Sequence, residues 1–228
     1  MTQACVVIPC FNVARTIGPI VRELKKQNID VLVVDDGSSD LTAEIADESG
    51  AIVLKNRNNC GKGASLRRGF DYALDKGYDL LIAMDGDGQH LSGDVTNFLK
   101  AHNAYPDVDI IIGNRMNQPL GMPLIRRLTN RFMSALLSWL SHQYIPDSQN
   151  GFRLLSNRIL KGLELKSDRF EIESEIILAA VQKGAKIISI PISSVYKNHP
   201  SRISPLFDTL RFIKFIRPCI IDFCRRSG

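Results

Sequence analysis

Short apolar runs alternate with amphipathic helical segments through residues 1–113, and this alternation constrains the fold more than any other feature. The apolar runs have the length of strands: 4–8, 31–34, 51–54, 80–84 and 109–113. The segments between them carry apolar residues at helical spacing: 13–27, 40–49, 64–76 and 92–103. Such alternation predicts a single α/β domain with an open, mainly parallel twisted sheet and helices on both faces. The carboxyl ends of the strands then share one edge, where ligands bind in such sheets.

The second half of the sequence is less regular. Two helices and two strands are predicted here, the first strand at a sheet edge: helices 123–141 and 172–183, strands 152–155 and 187–190. Four large apolar residues share one side of the first helix: Leu128, Phe132, Leu136 and Trp139. We assign Met84 and Trp139 to the hydrophobic core. Glu171, Glu173 and Glu175 alternate where the second helix begins, and their simplest interpretation is a charged first turn that the helix dipole favours.

Positive charge is concentrated in two stretches of a chain whose net charge is +5. Residues 199–228 hold six basic and two acidic residues, and 115–131 hold four arginines with no acidic residue. A phosphate-rich substrate, an anionic membrane surface or nucleic acid would each explain such patches. Charge alone leaves all three open; the family resemblance given below implies the first two and no nucleic-acid partner.

The sequence lacks signals for export and for membrane spanning. No apolar run approaches the ~20 residues that cross a bilayer. The first apolar run has no basic region before it and is interrupted by Pro9, unlike a signal peptide. The five cysteines include no C-x-x-C pair, so we expect reduced thiols. We therefore expect a cytoplasmic protein that rests peripherally on the cytoplasmic face of a membrane.

Asp85-Gly86-Asp87-Gly88-Gln89 directly follows the strand predicted at 80–84. Two carboxylates one residue apart point oxygen ligands toward one place, and Mg²⁺ typically takes one or two carboxylates together with substrate phosphates. Gly86 would let a diphosphate approach the backbone closely. A solvated turn is the alternative, since Asp and Gly are turn formers. An EF-hand loop is excluded, because the twelfth residue counted from Asp85 is Thr96 and not Glu.

Two more polar segments lie close to predicted strands. The carboxylates of Asp35-Asp36-Gly37-Ser38 would accept hydrogen bonds from a base or a ribose hydroxyl; a turn before a helix is the alternative. Asn59-Cys60-Gly61-Lys62-Gly63 precedes a helix, so its amides and ammonium group could meet phosphate. Its spacing is not that of a Walker A loop, and Leu66 stands where a dinucleotide fingerprint needs its third glycine. A helix-start loop with a solvated lysine is the alternative.

Taken together and in this order, these segments resemble the inverting family 2 glycosyltransferases of GT-A fold. The resemblance is strong over roughly the first half of the chain and rests on four motifs: Val7-Ile8-Pro9-Cys10-Phe11-Asn12, Val33-Val34-Asp35-Asp36-Gly37-Ser38, Gly61-Lys62-Gly63 and Asp85-Gly86-Asp87-Gly88-Gln89. Within the family, the chain is most similar to dolichyl-phosphate and polyprenyl-phosphate sugar (mannosyl)transferases, through three further segments: Gly113-Asn114-Arg115, Arg126-Arg127 and 147–153. It departs at Val13, where relatives often carry an acid, and 200–204 matches only loosely.

The resemblance implies roles for individual residues. The nucleotide-sugar would be bound by twelve residues: Pro9, Phe11, Asn12, Val34, Asp35, Asp36, Lys62, Asp85, Gly86, Asp87, Gln89 and Arg202. A divalent cation, Mg²⁺ or Mn²⁺, would be held by three of these: Asp85, Asp87 and Gln89. The acceptor phosphate would face four arginines: Arg115, Arg126, Arg127 and Arg131. Asp87, Arg115 and Arg127 would be the catalytic residues.

The implied activity is metal-dependent, inverting transfer of a sugar from a GDP- or UDP-sugar to a polyprenyl or dolichyl phosphate. A saccharide or other hydroxyl acceptor is the alternative, and it would need a carboxylate base such as Asp147 or Glu173. A sugar-phosphate nucleotidyltransferase shares the α/β pattern, but the expected glycine-rich N-terminal loop with its arginine is missing. A catalytically silent membrane-surface module would explain the basic tail but not the acidic and glycine-rich segments at strand ends.

We divide the chain into a glycosyltransferase domain over 1–205 and a tail over 206–228. Within the domain, 1–113 would bind the nucleotide-sugar and 114–205 the acceptor. The tail plots as a basic amphipathic helix, which Pro218 should kink. Such a helix would lie in a membrane interface or pack on the domain. The expected partners are the donor, the lipid-phosphate acceptor and a membrane surface, and a separate membrane protein could complete the system.

Overall fold

A mainly parallel sheet forms the centre of the protein. The computed structural model describes residues 2–117, 121–193 and 212–217. Within these ranges the sheet has seven strands: β1 (Ala4–Cys10), β2 (Asp30–Asp35), β3 (Ile52–Lys55), β4 (Leu80–Ala83), β5 (Ile110–Asn114), β6 (Arg153–Ser156) and β7 (Ile187–Pro191). Their order is β3-β2-β1-β4-β6-β5-β7, and all neighbours are parallel except β6, which runs antiparallel to β4 and β5. The predicted open, mainly parallel sheet is confirmed.

Helices cover both faces of this sheet, as predicted. The described helices are α1 (Ala14–Lys26), α2 (Thr42–Glu48), α3 (Lys62–Asp75), α4 (Val95–Ala104), α5 (Leu124–Ser141), α6 (Asn157–Leu160) and α7 (Ile172–Gln182). Residues of α1, α2 and α4 share one buried cluster, and residues of α3, α5, α6 and α7 share the other. None of the described helices is long and apolar enough to cross a membrane.

Strand β1 shows why its sequence is apolar without interruption. Cys5 and Val7 belong to one buried cluster, and Val6 and Ile8 belong to the other. A strand covered by helices on both faces has no polar side, so alternation of polar and apolar residues disappears. Each fully buried Val or Ile side chain contributes about 1.5–3 kcal/mol. The central strand therefore holds the two helical layers together.

Two predictions for the second half of the chain are wrong. The segment predicted at 152–155 as an edge strand is β6, which lies inside the sheet between β4 and β5. Trp139 is half-exposed and does not belong to the core, whereas Met84 is buried as expected. The buried side of α5 carries several small or polar residues, such as Asn130 and Ser134. Met133, Leu137 and Leu140 are buried on the same side, so α5 carries large apolar residues on both sides and apolar periodicity alone does not distinguish the inner side from the outer one.

One turn of the predicted tail packs on the domain. Residues 212–217 are helical, and Phe212 and Ile216 are buried in the cluster that also contains residues of α5 and α7. The remainder of the tail and Arg202 lie outside the described residues. For residues 212–217, the structure fits the interpretation of the tail as a helix that packs on the domain.

Gly69 lets α3 lie close against the sheet. A Cβ atom at this position would be 2.5 Å from Val7 Cγ1 and 3.1 Å from Val34 Cγ2. We predict that Gly69→Val lowers the free energy of unfolding by about 1–3 kcal/mol through overpacking. Gly93→Val is the matched control, since a Cβ there meets no atom within 4 Å. Urea denaturation of both variants checks this, and equal stabilities would contradict the close packing of α3.

Candidate active site

A cavity of about 650 Å³ lies where the parallel strands end. The segments that follow β1, β2, β4 and β5 all contribute to its wall, through residues that include Phe11, Asp36, Asp85 and Arg115. Helix α5 contributes four residues to the same wall: Arg126, Thr129, Asn130 and Met133. The structure therefore brings the separate polar motifs of the sequence together around one space, as the topology of a parallel sheet requires.

Lys62 forms a buried ion cluster at the base of this cavity. Its ammonium lies 2.5 Å from Asp85 Oδ1 and 2.7 Å from Glu173 Oε1. Burial alone would lower the pKa of Lys62, but the charges of Asp85 and Glu173 outweigh burial and raise it above the ordinary lysine value. Burial would raise the pKa of Asp85, and the charge of Lys62 instead holds it well below its usual range. The interpretation of Lys62 as a solvated lysine is wrong.

The carboxylates of Asp85 and Asp87 have different surroundings. Asp85 is held by Lys62 and lies 3.5 Å from His90 Nε2, whereas Asp87 is exposed and accepts a 2.9 Å hydrogen bond from the Gln89 amide. All three residues of the predicted metal site line the cavity. Across the described ranges, no group of three or more His, Cys, Asp or Glu residues is arranged to hold a metal. Two carboxylates and an amide oxygen are the hard, incomplete ligand set that Mg²⁺ or Mn²⁺ completes with substrate phosphates, so the residues fit such an ion.

Asp36 shapes the loop before α3. Its carboxylate accepts hydrogen bonds of 2.8–2.9 Å from Asn56 Nδ2 and from the backbone amides of Cys60 and Gly61. The next amides, of Gly63 and Ala64, donate to the carbonyl of Asp168. Protein oxygens therefore already accept hydrogen bonds from the amides of Cys60, Gly61, Gly63 and Ala64, so the suggestion that these amides meet phosphate is not supported. Asn59, Gly61 and Lys62 of this motif line the cavity, and the ammonium of Lys62 contacts Asp85 there.

The first motif forms another part of the wall. Pro9, Phe11 and Asn12 line the cavity, and Asn12 adopts a left-handed backbone with φ 52°. The Asn12 amide donates to Ser38 Oγ at 2.9 Å, and Asn12 Oδ1 accepts from the Ser39 amide at 2.8 Å. These bonds join the ends of β1 and β2, so the two motifs predicted to contact the nucleoside are one structural unit.

Three residues of the predicted donor site have surroundings that the motifs did not indicate. The side chain of Val34 is fully buried in the core and does not line the cavity, because α3 packs over it. Asp35 is buried beside the cavity, and its Oδ1 has no partner within the described residues. Gly86 does line the cavity, but its lack of a side chain is required by packing, since a Cβ would lie 2.8 Å from Cys10 Sγ.

Arg115 is fixed in the cavity wall by Asp147. The Arg115 guanidinium donates to both carboxylate oxygens of Asp147 at 2.8 and 2.9 Å, and its backbone amide donates at 3.0 Å. Asn130 on α5 donates to the same carboxylate at 2.6 Å. Burial would raise the pKa of Asp147, but the charge of Arg115 outweighs it and holds the pKa below the usual range. The pair thus joins the end of β5 to α5 and keeps the arginine in place.

The other predicted acceptor arginines differ in position. Arg126 lines the cavity together with Arg115. Arg127 is half-buried and Arg131 is exposed on α5, and neither belongs to the cavity wall. Arg126 and Arg127 lie about 100° apart around the helix axis, and only Arg126 is part of the cavity wall.

Several residues of the site were not predicted from the sequence. His90 is buried against Phe152 with ring centroids 4.9 Å apart, and it contacts Asp85. Glu173 belongs to a segment that was interpreted as a charged helix start, yet only 4% of it is exposed. Four further lining residues carried no signal: Thr129, Asn130, Arg169 and Phe170. The one available signal was the alternation of Glu171, Glu173 and Glu175. The middle residue of the three is buried and pairs with Lys62, which is distant in the sequence.

We predict that Asp147→Asn lowers the free energy of unfolding by about 3–5 kcal/mol at neutral pH, because Arg115 then lies buried without its counterion. A carboxylate with a lowered pKa in the folded state stabilises the protein above its unfolded pKa and loses that contribution as pH falls. The difference between wild type and variant should therefore shrink below about pH 5. Urea denaturation as a function of pH checks both statements.

Asp168→Asn is the matched control, because the Arg67–Asp168 pair is 2.6 Å long but lies at the surface. Such a pair contributes at most about 1 kcal/mol. If Asp147→Asn were as mild as this control, the Arg115–Asp147 pair would not be the element that fixes the wall.

The sequence model of glycosyl transferase family 2 matches residues 5–163 of this chain. An uncharacterized protein of Methanocaldococcus jannaschii is 36% identical over 200 residues, which cover 85% of this chain and 82% of that protein. The UDP-N-acetylglucosamine–dolichyl-phosphate N-acetylglucosaminyltransferase of Methanococcus voltae is 28% identical over 216 residues, covering 85% and 86%. The polyprenol monophosphomannose synthase of Mycolicibacterium smegmatis is 28% identical over 209 residues, covering 84% and 77%.

Solved structures share the fold. Mannosyl-3-phosphoglycerate synthase from Rubrobacter xylanophilus has a TM-score of 0.75 at 20% identity, covering 100% of this chain and 75% of that chain. Glucosyl-3-phosphoglycerate synthase from Mycobacterium tuberculosis, in complex with Mn²⁺, uridine diphosphate and phosphoglyceric acid, has a TM-score of 0.73 at 16% identity, covering 98% and 78%. The predicted GT-A fold is thereby confirmed. With the family match over 5–163, the chain belongs to glycosyl transferase family 2, close to the dolichyl-phosphate and polyprenol-phosphate sugar transferases.

Proposed function

We propose that this glycosyltransferase moves a sugar from a nucleoside diphosphate sugar to a polyprenyl or dolichyl phosphate, with a divalent cation and with inversion of the anomeric centre. One observation carries the proposal. The acidic motif that would hold the donor diphosphate and the arginines that would hold an acceptor phosphate line the same cavity. A site that binds two anionic partners needs positive charge for the second one. Arg126 lines the cavity for this role, and Arg115 lines the same cavity in its ion pair with Asp147.

The carboxylates of the cavity favour a phosphate acceptor over a hydroxyl acceptor. A hydroxyl must lose a proton, so it needs a carboxylate base within hydrogen-bond reach. Asp147 is fully buried and bound to Arg115, and Glu173 is buried and bound to Lys62. Both candidates for the base are therefore engaged by cations. A phosphate is already ionised at neutral pH and needs no base.

The reaction then requires little proton chemistry from the protein. An oxygen of the acceptor phosphate forms the new bond to the anomeric carbon while the bond to the leaving diphosphate breaks, and attack from the opposite side inverts that carbon. A divalent cation on Asp85, Asp87 and Gln89 would neutralise the leaving diphosphate. Lys62 fixes the Asp85 carboxylate for this task, and Arg126 positions the acceptor. Electrostatic stabilisation by groups held in place is a large part of catalysis in such sites.

The relatives support the acceptor and donor classes. Two relatives are named for transfer to dolichyl phosphate or for synthesis of a polyprenol monophosphosugar, and one of these names specifies a UDP-linked sugar. A structure of the same fold contains Mn²⁺ and uridine diphosphate. We extend these features to this chain, with a UDP- or GDP-sugar as donor and Mg²⁺ or Mn²⁺ as the ion. Because the acceptor is a lipid, we also propose that the enzyme works at the cytoplasmic face of a membrane, alone or with a separate membrane protein.

Product analysis tests the proposed function. Purified protein is incubated with Mn²⁺, a panel of UDP- and GDP-sugars, and three acceptors in parallel: a short-chain polyprenyl phosphate, 3-phosphoglycerate and a free saccharide. We expect a lipid-linked sugar with inverted anomeric configuration, detected by mass spectrometry and NMR. Transfer to phosphoglycerate or to the saccharide alone would replace the proposed function with one of the alternatives.

Asp87 provides the test of the metal assignment. Its exposed carboxylate has no structural role beyond the turn, so Asp87→Ala should fold normally. We predict a loss of at least about a hundredfold in kcat, since stabilisation of the leaving group is lost. Electron paramagnetic resonance of Mn²⁺ in the presence of the nucleoside diphosphate should show weaker binding. Full activity in the variant with the metal still required would contradict the assignment.

The acceptor arginines are tested as a series. We predict that Arg126→Ala raises KM for the lipid phosphate about 10- to 100-fold with little change in nucleotide binding, because a charge-assisted contact is lost. Arg131→Ala is the matched control on the same helix, outside the cavity wall, and the acceptor in this series is a short-chain, water-soluble polyprenyl phosphate so that membrane contact does not enter the comparison. The expected role of Arg127 in acceptor use stays a prediction, and Arg127→Ala in the same series tests it. Unchanged acceptor kinetics in all three variants would remove the main support for a phosphate acceptor.

A further inference from the structure

Helix α5 exposes a band of large apolar side chains. Of eleven exposed large apolar residues in the described ranges, six lie between positions 124 and 144: Leu124, Ile125, Leu128, Phe132, Trp139 and Tyr144. Leu128 is 56% exposed and Phe132 is 55% exposed. The five on α5 recur at helical spacing, so they form one stripe about 20 Å long. We call the stripe of Leu124, Ile125, Leu128, Phe132 and Trp139 the α5 outer face. Large apolar patches on a protein surface mark interaction sites.

The charge of α5 indicates what covers this face. The sequence LIRRLTNRFMSALLSWLS contains three arginines and no acidic residue. Arg127 and Arg131 lie next to the apolar stripe, and Arg131 is exposed. A helix with bulky apolar residues on one side, basic residues beside them and an aromatic residue near its end is typical of helices that lie in a membrane interface. A protein partner would not require the complete absence of acidic residues.

The α5 outer face is directly connected to the active site. Arg126, Thr129, Asn130 and Met133 of the same helix line the cavity. Ile125 of the outer face is the neighbour of Arg126 in the sequence. A single helix therefore contacts the cavity on one side and presents apolar side chains outward on another.

We propose that the α5 outer face docks onto an anionic bilayer, with the helix in the plane of the interface and Arg127 and Arg131 at the lipid headgroups. This arrangement places the cavity wall formed by α5 within one helix diameter, about 10 Å, of the interface. It rests on the proposed function for its purpose, but the binding itself does not require catalysis. The sequence left membrane contact by the tail open; we propose that contact for α5, since residues 212–217 of the tail bury Phe212 and Ile216 in the core.

The chain offers its own reporter, because Trp139 is the single tryptophan of the sequence and belongs to the α5 outer face. Full-length protein is titrated with phosphatidylcholine vesicles that contain or lack phosphatidylglycerol. We expect a blue shift of the tryptophan emission and quenching by brominated phospholipid, both stronger with the anionic lipid and weaker at high salt. Unchanged emission during sedimentation with vesicles would place the contact elsewhere and overturn the proposal.

A double variant tests the face itself. Leu128→Ser with Phe132→Ser removes two apolar side chains without changing the charge, and both sites are exposed, so folding should persist. We expect vesicle partitioning to fall at least about tenfold, because the apolar area that enters the bilayer is lost. Leu41→Ser is the matched control, since Leu41 is 64% exposed and lies beside α2, which packs on the distant strand β3. Equal partitioning of the double variant and wild type would refute the proposal.

Two further measurements separate the remaining outcomes. Sedimentation velocity without lipid distinguishes a second protein copy as the occupant: a dimer that the double variant abolishes would overturn the proposal. Transfer to a short, water-soluble polyprenyl phosphate should be equal in wild type and double variant, whereas transfer to an acceptor in vesicles should fall at least about tenfold in the variant. If no acceptor is used but vesicles still shift the emission, the proposed function fails while the docking face stands.

Discussion

The ion cluster of Lys62, Asp85 and Glu173 is the contact on which the candidate site depends. It joins the start of α3, the end of β4 and the start of α7 through bonds of 2.5 and 2.7 Å. Removing Lys62 would leave the two carboxylates without their cation, at a cost of about 3–5 kcal/mol. The cluster also sets the electrostatics of the cavity, because it keeps Asp85 ionised where a divalent cation and a diphosphate would bind. Gly151 belongs to the same arrangement, since a Cβ there would lie 2.7 Å from Lys62 Nζ.

A second buried pair, Arg115 with Asp147, gives the other wall of the cavity the same kind of rigidity. Two cations thus hold the two carboxylates that might otherwise act as bases. This pairing supports the proposal of a phosphate acceptor, which is already ionised when it binds. Helix α5 then links that chemistry to location, because it contributes Arg126 and Asn130 to the cavity and carries the outer face that we assign to the bilayer.

The fold was predictable from the sequence because burial on both faces of a parallel sheet leaves an unmistakable pattern. The apolar runs that became β1 and β2 needed no partner information to be recognised. Convergence of Asp36 and Asp85 at one edge followed from topology alone. The position of β6 inside the sheet could not be predicted in this way, because the order of strands depends on contacts between distant segments that a short apolar run does not encode. The assignment of Trp139 on α5 to the core was wrong for a related reason. The inner side of this helix carries Asn130 and Ser134, which contact other polar groups of the site. Lys62 and Glu173 were not paired in advance because they lie far apart in the sequence.

The central claim is that the acceptor is a phosphate attached to a lipid, and one comparison tests it most directly. The initial rate of transfer from the preferred nucleotide-sugar is measured with a polyprenyl phosphate and with the polyprenol of the same chain length, in the same detergent and with the same metal. The two acceptors differ only in the phosphate. The account predicts transfer to the polyprenyl phosphate and none above background to the alcohol. Comparable rates with both acceptors would contradict it. A hydroxyl acceptor needs a base, and the two carboxylates considered for that role, Asp147 and Glu173, are paired with Arg115 and Lys62.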